Sequence, residues 1–133
     1  MRFAFERLPG TGVDVARAAL EVVVTGPDQS LRALCLMDTG SLHNRFGAWV
    51  AELAGIDLAA TETERVGVGG TVTEARTVTC ELRLGDVTWE APVAFCDAWP
   101  LDFHLLGQLG FLRWFRVIID AADETFEVIP NIA

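Results

Sequence analysis

The chain has 133 residues, of which 51% are hydrophobic; it is long enough to bury one core without metals or staples and too apolar to stay disordered. Its formal net charge is −9 and every basic residue is arginine, a balance that repels phosphate backbones and anionic lipid and disfavours nucleic-acid or membrane-surface partners. The opening MRFAFERLPG has no apolar run of the secretory kind, and no stretch of about 18 uncharged apolar residues occurs anywhere, so one cytoplasmic domain over residues 1–133 is expected. Cys35, Cys80 and Cys96 are odd in number and lack metal-ligand spacing; they are expected to be reduced thiols, with no metal and no cofactor.

In chain order, Ala18–Thr25 is rich in β-branched residues and reads as a strand. Gly26-Pro27-Asp28-Gln29-Ser30 supplies turn chemistry, and Leu31–Met37, apolar at nearly every position after Arg32, reads as a second strand covered on both faces. Cys35 packs within that run as a small hydrophobe. The hairpin delivers the chain to Asp38-Thr39-Gly40-Ser41. Phe46, Trp49, Val50 and Leu53 then fall at i, i+3, i+4 and i+7, which predicts a helix with one core-facing stripe, Asn44 as its N-cap and Gly55 at its C′ position.

Glu64–Arg76 holds Gly67, Gly69 and Gly70 between β-type flanks, the pattern of a mobile hairpin or of a simple loop. Thr77–Leu84 and Val87–Phe95 are strands about the Gly85-Asp86 turn, and Pro92 predicts that the second is an edge or bulged strand. Phe103–Leu106 is an apolar run closed by Gly107; Gly110–Phe115 reads as a short helix; Arg116–Ile119 and Thr125–Ile129 are the last strands. The whole predicts a small, closed, all-β core with one or two short helices.

Asp38 is the carboxylate that context singles out. An acid directly after a buried strand is costly unless it is hydrogen-bonded or protonated. Gly40 permits close backbone approach, and its N–H can point at the carboxylate; Thr39 and Ser41 bring hydroxyls nearby. By itself the tetrapeptide is ordinary turn composition. The similar phosphate loop of actin-like ATPases and sugar kinases needs two such lobes and a far longer chain. His43 and His104 have no partner at metal spacing and read as structural, and Trp89 and Trp99 read as packing residues.

Three segments in order resemble the retropepsin-like aspartic protease family, in particular the protease domain of the eukaryotic DNA-damage-inducible proteins: ALCLMDTGSLHNRF as catalytic strand and loop, RVGVGGTVTEARTVTCELRLG as a glycine-tipped flap and its following strand, and DFHLLGQLGFLRWFRVIID as the Leu-Leu-Gly element, short helix and next strand. The resemblance implies a single-lobe closed β-barrel acting as an aspartic endopeptidase on an extended peptide. One Asp-Thr-Gly per chain implies a homodimer in which each copy lends Asp38 to a shared dyad. It further implies that Thr39 bonds across the dimer, that the Gly40 N–H and Ser41 Oγ bond the Asp38 carboxylate, that Gly67, Val68, Gly69 and Gly70 form the flap over substrate, and that Leu105, Leu106 and Gly107 support the catalytic loop. Asp102 lacks the Thr-Gly context and is not a second acid. The chain has no Tyr, so no flap tyrosine exists, and neither RFAF nor TFEVIPNIA carries a motif that fixes a dimer sheet. The alternative is a retropepsin-fold module that dimerises or binds peptide without cleaving it.

Overall fold

The computed structural model describes residues 1–10, 12 and 15–131; the final two residues of the TFEVIPNIA segment lie outside them. The strands in chain order are β1 (Arg2–Ala4), β2 (Glu6–Arg7), β3 (Ala16–Arg17), β4 (Ala19–Thr25), β5 (Ser30–Met37) and β6 (Asn44–Gly47). Helix α1 (Ala48–Ala54) follows, then β7 (Glu64–Val68), β8 (Thr71–Leu84), β9 (Val87–Asp97) and β10 (His104–Leu106). A π-helical turn (Gln108–Leu112) leads to β11 (Phe115–Asp120) and β12 (Thr125–Pro130).

Strands β4-β5-β10-β6-β9-β8 are hydrogen-bonded in that order, and β4 pairs back onto β8, which closes a six-stranded barrel. This is the all-β architecture expected. Closure removes sheet edges, which lets a chain this short bury its strands. The interior is filled by Val22, Val24, Phe46, Leu82, Val93, Phe95, Leu106 and Phe111, none more than 1% exposed. A second sheet, β1-β12-β11, brings the two ends of the chain side by side, with Phe3 stacked on Phe126. No described helix is long and apolar enough to cross a membrane. Cys35, Cys80 and Cys96 are buried free thiols; burial pushes Cys35 well above the usual thiol range and Cys80 up to about 11.

The expected hairpins form in register: Val22 faces Ala33 across β4–β5, and Leu82 faces Trp89 across β8–β9. The β4–β5 turn also closes the end of α1, because Gln29 Nε2 donates to Leu53 O (2.8 Å) and Asp28 N to Ala54 O (2.9 Å). Gly55 terminates the helix with φ 78°, as its sequence position predicted.

Three local expectations are corrected. The helix begins at Ala48, not Asn44, because Asn44–Gly47 is a strand paired to both β9 and β10; the two ladders outweigh the local helical period. Asn44 is therefore no N-cap, and Trp49 and Leu53, 50% and 49% exposed, are not core residues, whereas Phe46 and Val50 are. Pro92 does not make β9 an edge strand throughout. It lies opposite Thr79 just before Val93 begins the second ladder with β6, so the missing N–H falls where β9 still lacks that neighbour. Finally, the predicted helix at Gly110–Phe115 is the earlier π-turn, in which Leu112 N donates to Gly107 O (3.0 Å) and Arg113 N to Gln108 O (2.9 Å), while Phe115 already starts β11.

Candidate active site

Strand β5 runs parallel to β10, with Leu36 opposite Leu105 and Met37 opposite Leu106. Where β5 ends, Asp38 N donates to Leu106 O (2.9 Å) and Ser41 N turns back to Asp38 O (3.2 Å). The loop is then clamped from its far side: Gln108 N donates to Ser41 O and Leu109 N to Leu42 O, both 2.8 Å. Gln108 Nε2 adds a bond to Thr39 O at 2.8 Å. Asn44, fully buried, spans the gap beneath the loop, accepting from Gly107 N (3.0 Å) and donating to Gly110 O (3.1 Å). A side chain at Gly107 would meet the carbonyl oxygens of Ser41 and His43, and one at Gly110 would meet the Asn44 amide. These glycines are there for close approach. The supporting part expected of Leu105-Leu106-Gly107 is thus met by backbone bonds and packing.

Asp38 is half-buried at the mouth of this loop, and its Oδ1 accepts from Gly40 N at 3.0 Å. Thr39 and Gly40 are exposed. The Ser41 hydroxyl does not reach Asp38. It donates to His43 O (2.8 Å) and accepts from Arg45 Nε (2.9 Å), so Ser41 braces the loop rather than the carboxylate. The reason is Arg45, four residues on, which supplies a charged donor that competes for the same oxygen.

The segment expected to form a flap is a hairpin of β7 and β8. Val68 faces Thr71 across a two-residue turn, Gly69-Gly70, with φ of 55° and 79°. Both positions need the left-handed region, which glycine enters without strain. Asp38, Gly40, Ser41, Arg45, Leu36 and Leu105 line a cleft of about 290 Å³ together with Gly67, Val68 and Gly69 of the hairpin. Gly70 lies at the turn and does not line it. Val68 is only 5% exposed and packs with Phe103 and Leu105. Leu101 and Phe103, which also line the cleft, were not foreseen, because the run before Leu-Leu-Gly looks like plain core in sequence. Arg45 was missed because its segment read as helix; as a strand, Asn44-Arg45-Phe46 alternates and must turn Arg45 away from the core that holds Phe46.

The remaining candidates are structural. His104 is buried between the rings of Phe46 and Trp99, and its Nδ1 accepts from Gly47 N (3.1 Å); burial pulls it down to about 4, so it is neutral. Trp89 Nε1 donates to Gly110 O (2.9 Å) and Trp99 Nε1 to Phe103 O (3.0 Å). Asp102 is exposed and lies against Gly10. Among the described residues no group of three or more His, Cys, Asp or Glu could hold a metal ion.

A closed six-stranded barrel that ends one strand in Asp-Thr-Gly-Ser and faces it with a glycine-tipped hairpin is a retropepsin-like fold. The comparison with solved structures bears this out. The chain is similar to a retropepsin-like aspartic protease from Rickettsia conorii, with TM-score 0.66 and 16% identity over 97% of this chain and 90% of that one. It is also similar to the retroviral protease-like domain of Ddi1 from Leishmania major, with TM-score 0.57 and 18% identity over 86% of this chain and 90% of that one. No protein-family model and no curated sequence matches the chain.

Proposed function

We propose that the protein is an aspartic endopeptidase that works as a homodimer. The carrying observation is that Asp38, held by the Gly40 N–H, lines the same cleft as the hairpin residues Gly67, Val68 and Gly69. The sequence offers one Asp-Thr-Gly, and water activation by the aspartic mechanism needs two facing carboxylates, so a second copy brings the other. Leu42 beside the loop and Val72 beside the flap tip, 54% and 63% exposed, are apolar surface that such a copy would cover.

Two full charges about 4 Å apart repel by about 4 kcal/mol at an effective dielectric near 20, so the pair retains one proton. The ionised Asp38 takes a proton from water as that water attacks the scissile carbonyl carbon. The protonated Asp38 of the other copy hydrogen-bonds the carbonyl oxygen, and the C–N bond breaks as the amine leaves with a proton. Thr39, exposed at the loop, bonds across the two-fold axis. The flap, with Gly70 at its turn, closes over an extended peptide and excludes water. The three buried thiols suit a reducing, cytoplasmic setting. One observation favours the second reading, a peptide-binding module: the Ser41 hydroxyl is spent on His43 O and Arg45 instead of on Asp38.

Asp38→Asn separates the two. On a diverse peptide library the variant is expected to stay dimeric in sedimentation and to lose cleavage by at least about a thousandfold. Undiminished cleavage rejects the mechanism; a wild-type protein that is monomeric at micromolar concentration rejects the shared site.

A further inference from the structure

The face of the barrel that looks into the cleft can be followed residue by residue through the strand pairings. Leu36 pairs with Leu105, Leu105 with Arg45, and Arg45 with Ala94. Further out, Ala75 pairs with Cys96, and Thr73 with Val66. Residues directly opposite share a face, and alternate residues along a strand do too. Around Arg45 the paired residues on this face, Leu36, Leu105, Ala94, Cys96 and Ala75, are apolar or small. The guanidinium of Arg45 gives Nε to Ser41 Oγ (2.9 Å) and reaches the Cys96 sulfur; Cys96 is pushed up to about 11 by burial, with Arg45 acting in the opposite sense. Its Nη1 is buried without any acceptor. Among the described residues Arg45 forms no ion pair, although the chain carries 19 acidic residues. A buried, unpaired guanidinium donor is costly, and the side chain that carries it lines the same cleft as Asp38 and Val68.

We propose that Arg45 is a specificity-determining residue that selects a carboxylate side chain, Asp or Glu, in the peptide bound in this cleft. The planar fork of arginine matches a carboxylate with two parallel N–H···O bonds, and the incoming acid supplies the acceptor that Nη1 lacks. In a homodimer the two-fold axis puts one Arg45 on each side of the scissile bond, so the preference recurs on both sides. This assignment rests on the reading of the cleft as a peptide site.

The test is a randomised decapeptide library digested by the wild-type protein, with cleavage sites read by mass spectrometry, followed by paired peptides that differ only in Glu or Gln at the enriched position. The expected result is enrichment of Asp and Glu on both sides of the bond, a Glu-to-Gln ratio in kcat/KM of about tenfold or more, collapse of that ratio toward one in Arg45→Gln, and partial retention in Arg45→Lys. No acidic enrichment in the wild type, or a ratio that survives in Arg45→Gln, overturns the assignment. Should Arg45→Gln not fold, the wild-type ratio decides alone. Should the wild type cleave nothing, the proteolytic reading fails, and the assignment is judged by binding of the same decapeptides to the wild-type protein: tighter binding of Glu over Gln peptides upholds it, equal binding or none overturns it.

Discussion

The two sides of the cleft are built in opposite ways. The Asp38 loop is cross-linked in every direction: to Leu106 through the backbone, to Gln108 and Leu109 through paired amides, and to Gly107 and Gly110 through the buried Asn44 side chain. The β7–β8 hairpin tip has its own ladder and the packing of Val68 on Phe103 and Leu105, and its turn residues Gly69 and Gly70 are exposed. Both regions contain glycines, but for different reasons. Gly107 lacks a side chain because carbonyl oxygens occupy the space; around Gly70 nothing lies within 4 Å of where a side chain would start. The loop is over-determined and holds an acid in one position, whereas beyond Val68 the hairpin turn has open space around Gly70. That division suits a site in which one side must stay fixed and the other must admit a ligand.

The comparison breaks most readily at Asn44. Asn44→Ala leaves the Gly107 N–H and the Gly110 carbonyl without that side chain, and at roughly 1–3 kcal/mol per orphaned buried group the expected loss is about 3 kcal/mol. The Gly110 carbonyl retains its bond from Trp89 Nε1, so the loss is expected mainly at Gly107. Urea midpoints measure it. Gln108→Ala, which removes an exposed bond to the same loop, is expected to cost about 1 kcal/mol or less. Equal costs would mean that the loop is not hung on Asn44.

The same contrast explains what the sequence allowed to be read. Asp38-Thr39-Gly40-Ser41 was legible because it is a local solution, a carboxylate with a glycine N–H two residues on, whereas Gly67, Gly69 and Gly70 were legible only as a hairpin or a loop until the β7–β8 pairing decided between them. Closure of β4 onto β8 was legible only as a class, from the run of strands. What failed was decided by distant partners. Asn44–Gly47 has a helical period, and only the ladders from β9 and β10 make it a strand. The orientation of the Ser41 hydroxyl depends on Arg45, whose own direction depends on that strand. Pro92 was read as an edge marker when the second neighbour begins one residue later.

His104 extends the comparison to pH. It lies on the fixed side, at the start of the strand that supports the loop. Its folded value is about 4 against an ordinary 6.5, so the neutral form is the one that fits. Between pH 6.5 and 4 the unfolded chain binds a proton that the folded chain refuses, and stability falls as the pH is lowered through that window. At pH 5 the difference is about 2 kcal/mol, from about 1.5 units at 1.36 kcal/mol each. Unfolding free energies of wild type and His104→Gln at pH 7 and pH 5 measure it: the wild type is expected to lose about 2 kcal/mol more than the variant over that interval. An identical pH response would show that His104 is solvated in the folded state.

A small effect is expected at the β7–β8 hairpin tip, where it is the most informative about function. Gly70 has φ 79° and open space around it, so Gly70→Ala meets no clash and incurs only the left-handed penalty of about 1 kcal/mol. Gly107, with φ −115°, carries no left-handed penalty, but in Gly107→Ala the side chain collides with the carbonyl oxygens of Ser41 and His43, and the cost is expected to be at least about 3 kcal/mol. If the flap acts only when it closes on a ligand, the penalty at Gly70 appears twice, once as a small fall in urea midpoint and once in the peptide reaction. Adding a second alanine, Gly69→Ala, at φ 55°, should then lower kcat/KM by a further factor of about five, the equivalent of about 1 kcal/mol, while the pair of changes leaves the Asp38 loop intact. A flap double variant with unaltered peptide turnover would mean that the hairpin is a static wall, and the fixed and moving sides of the cleft would then be one rigid frame.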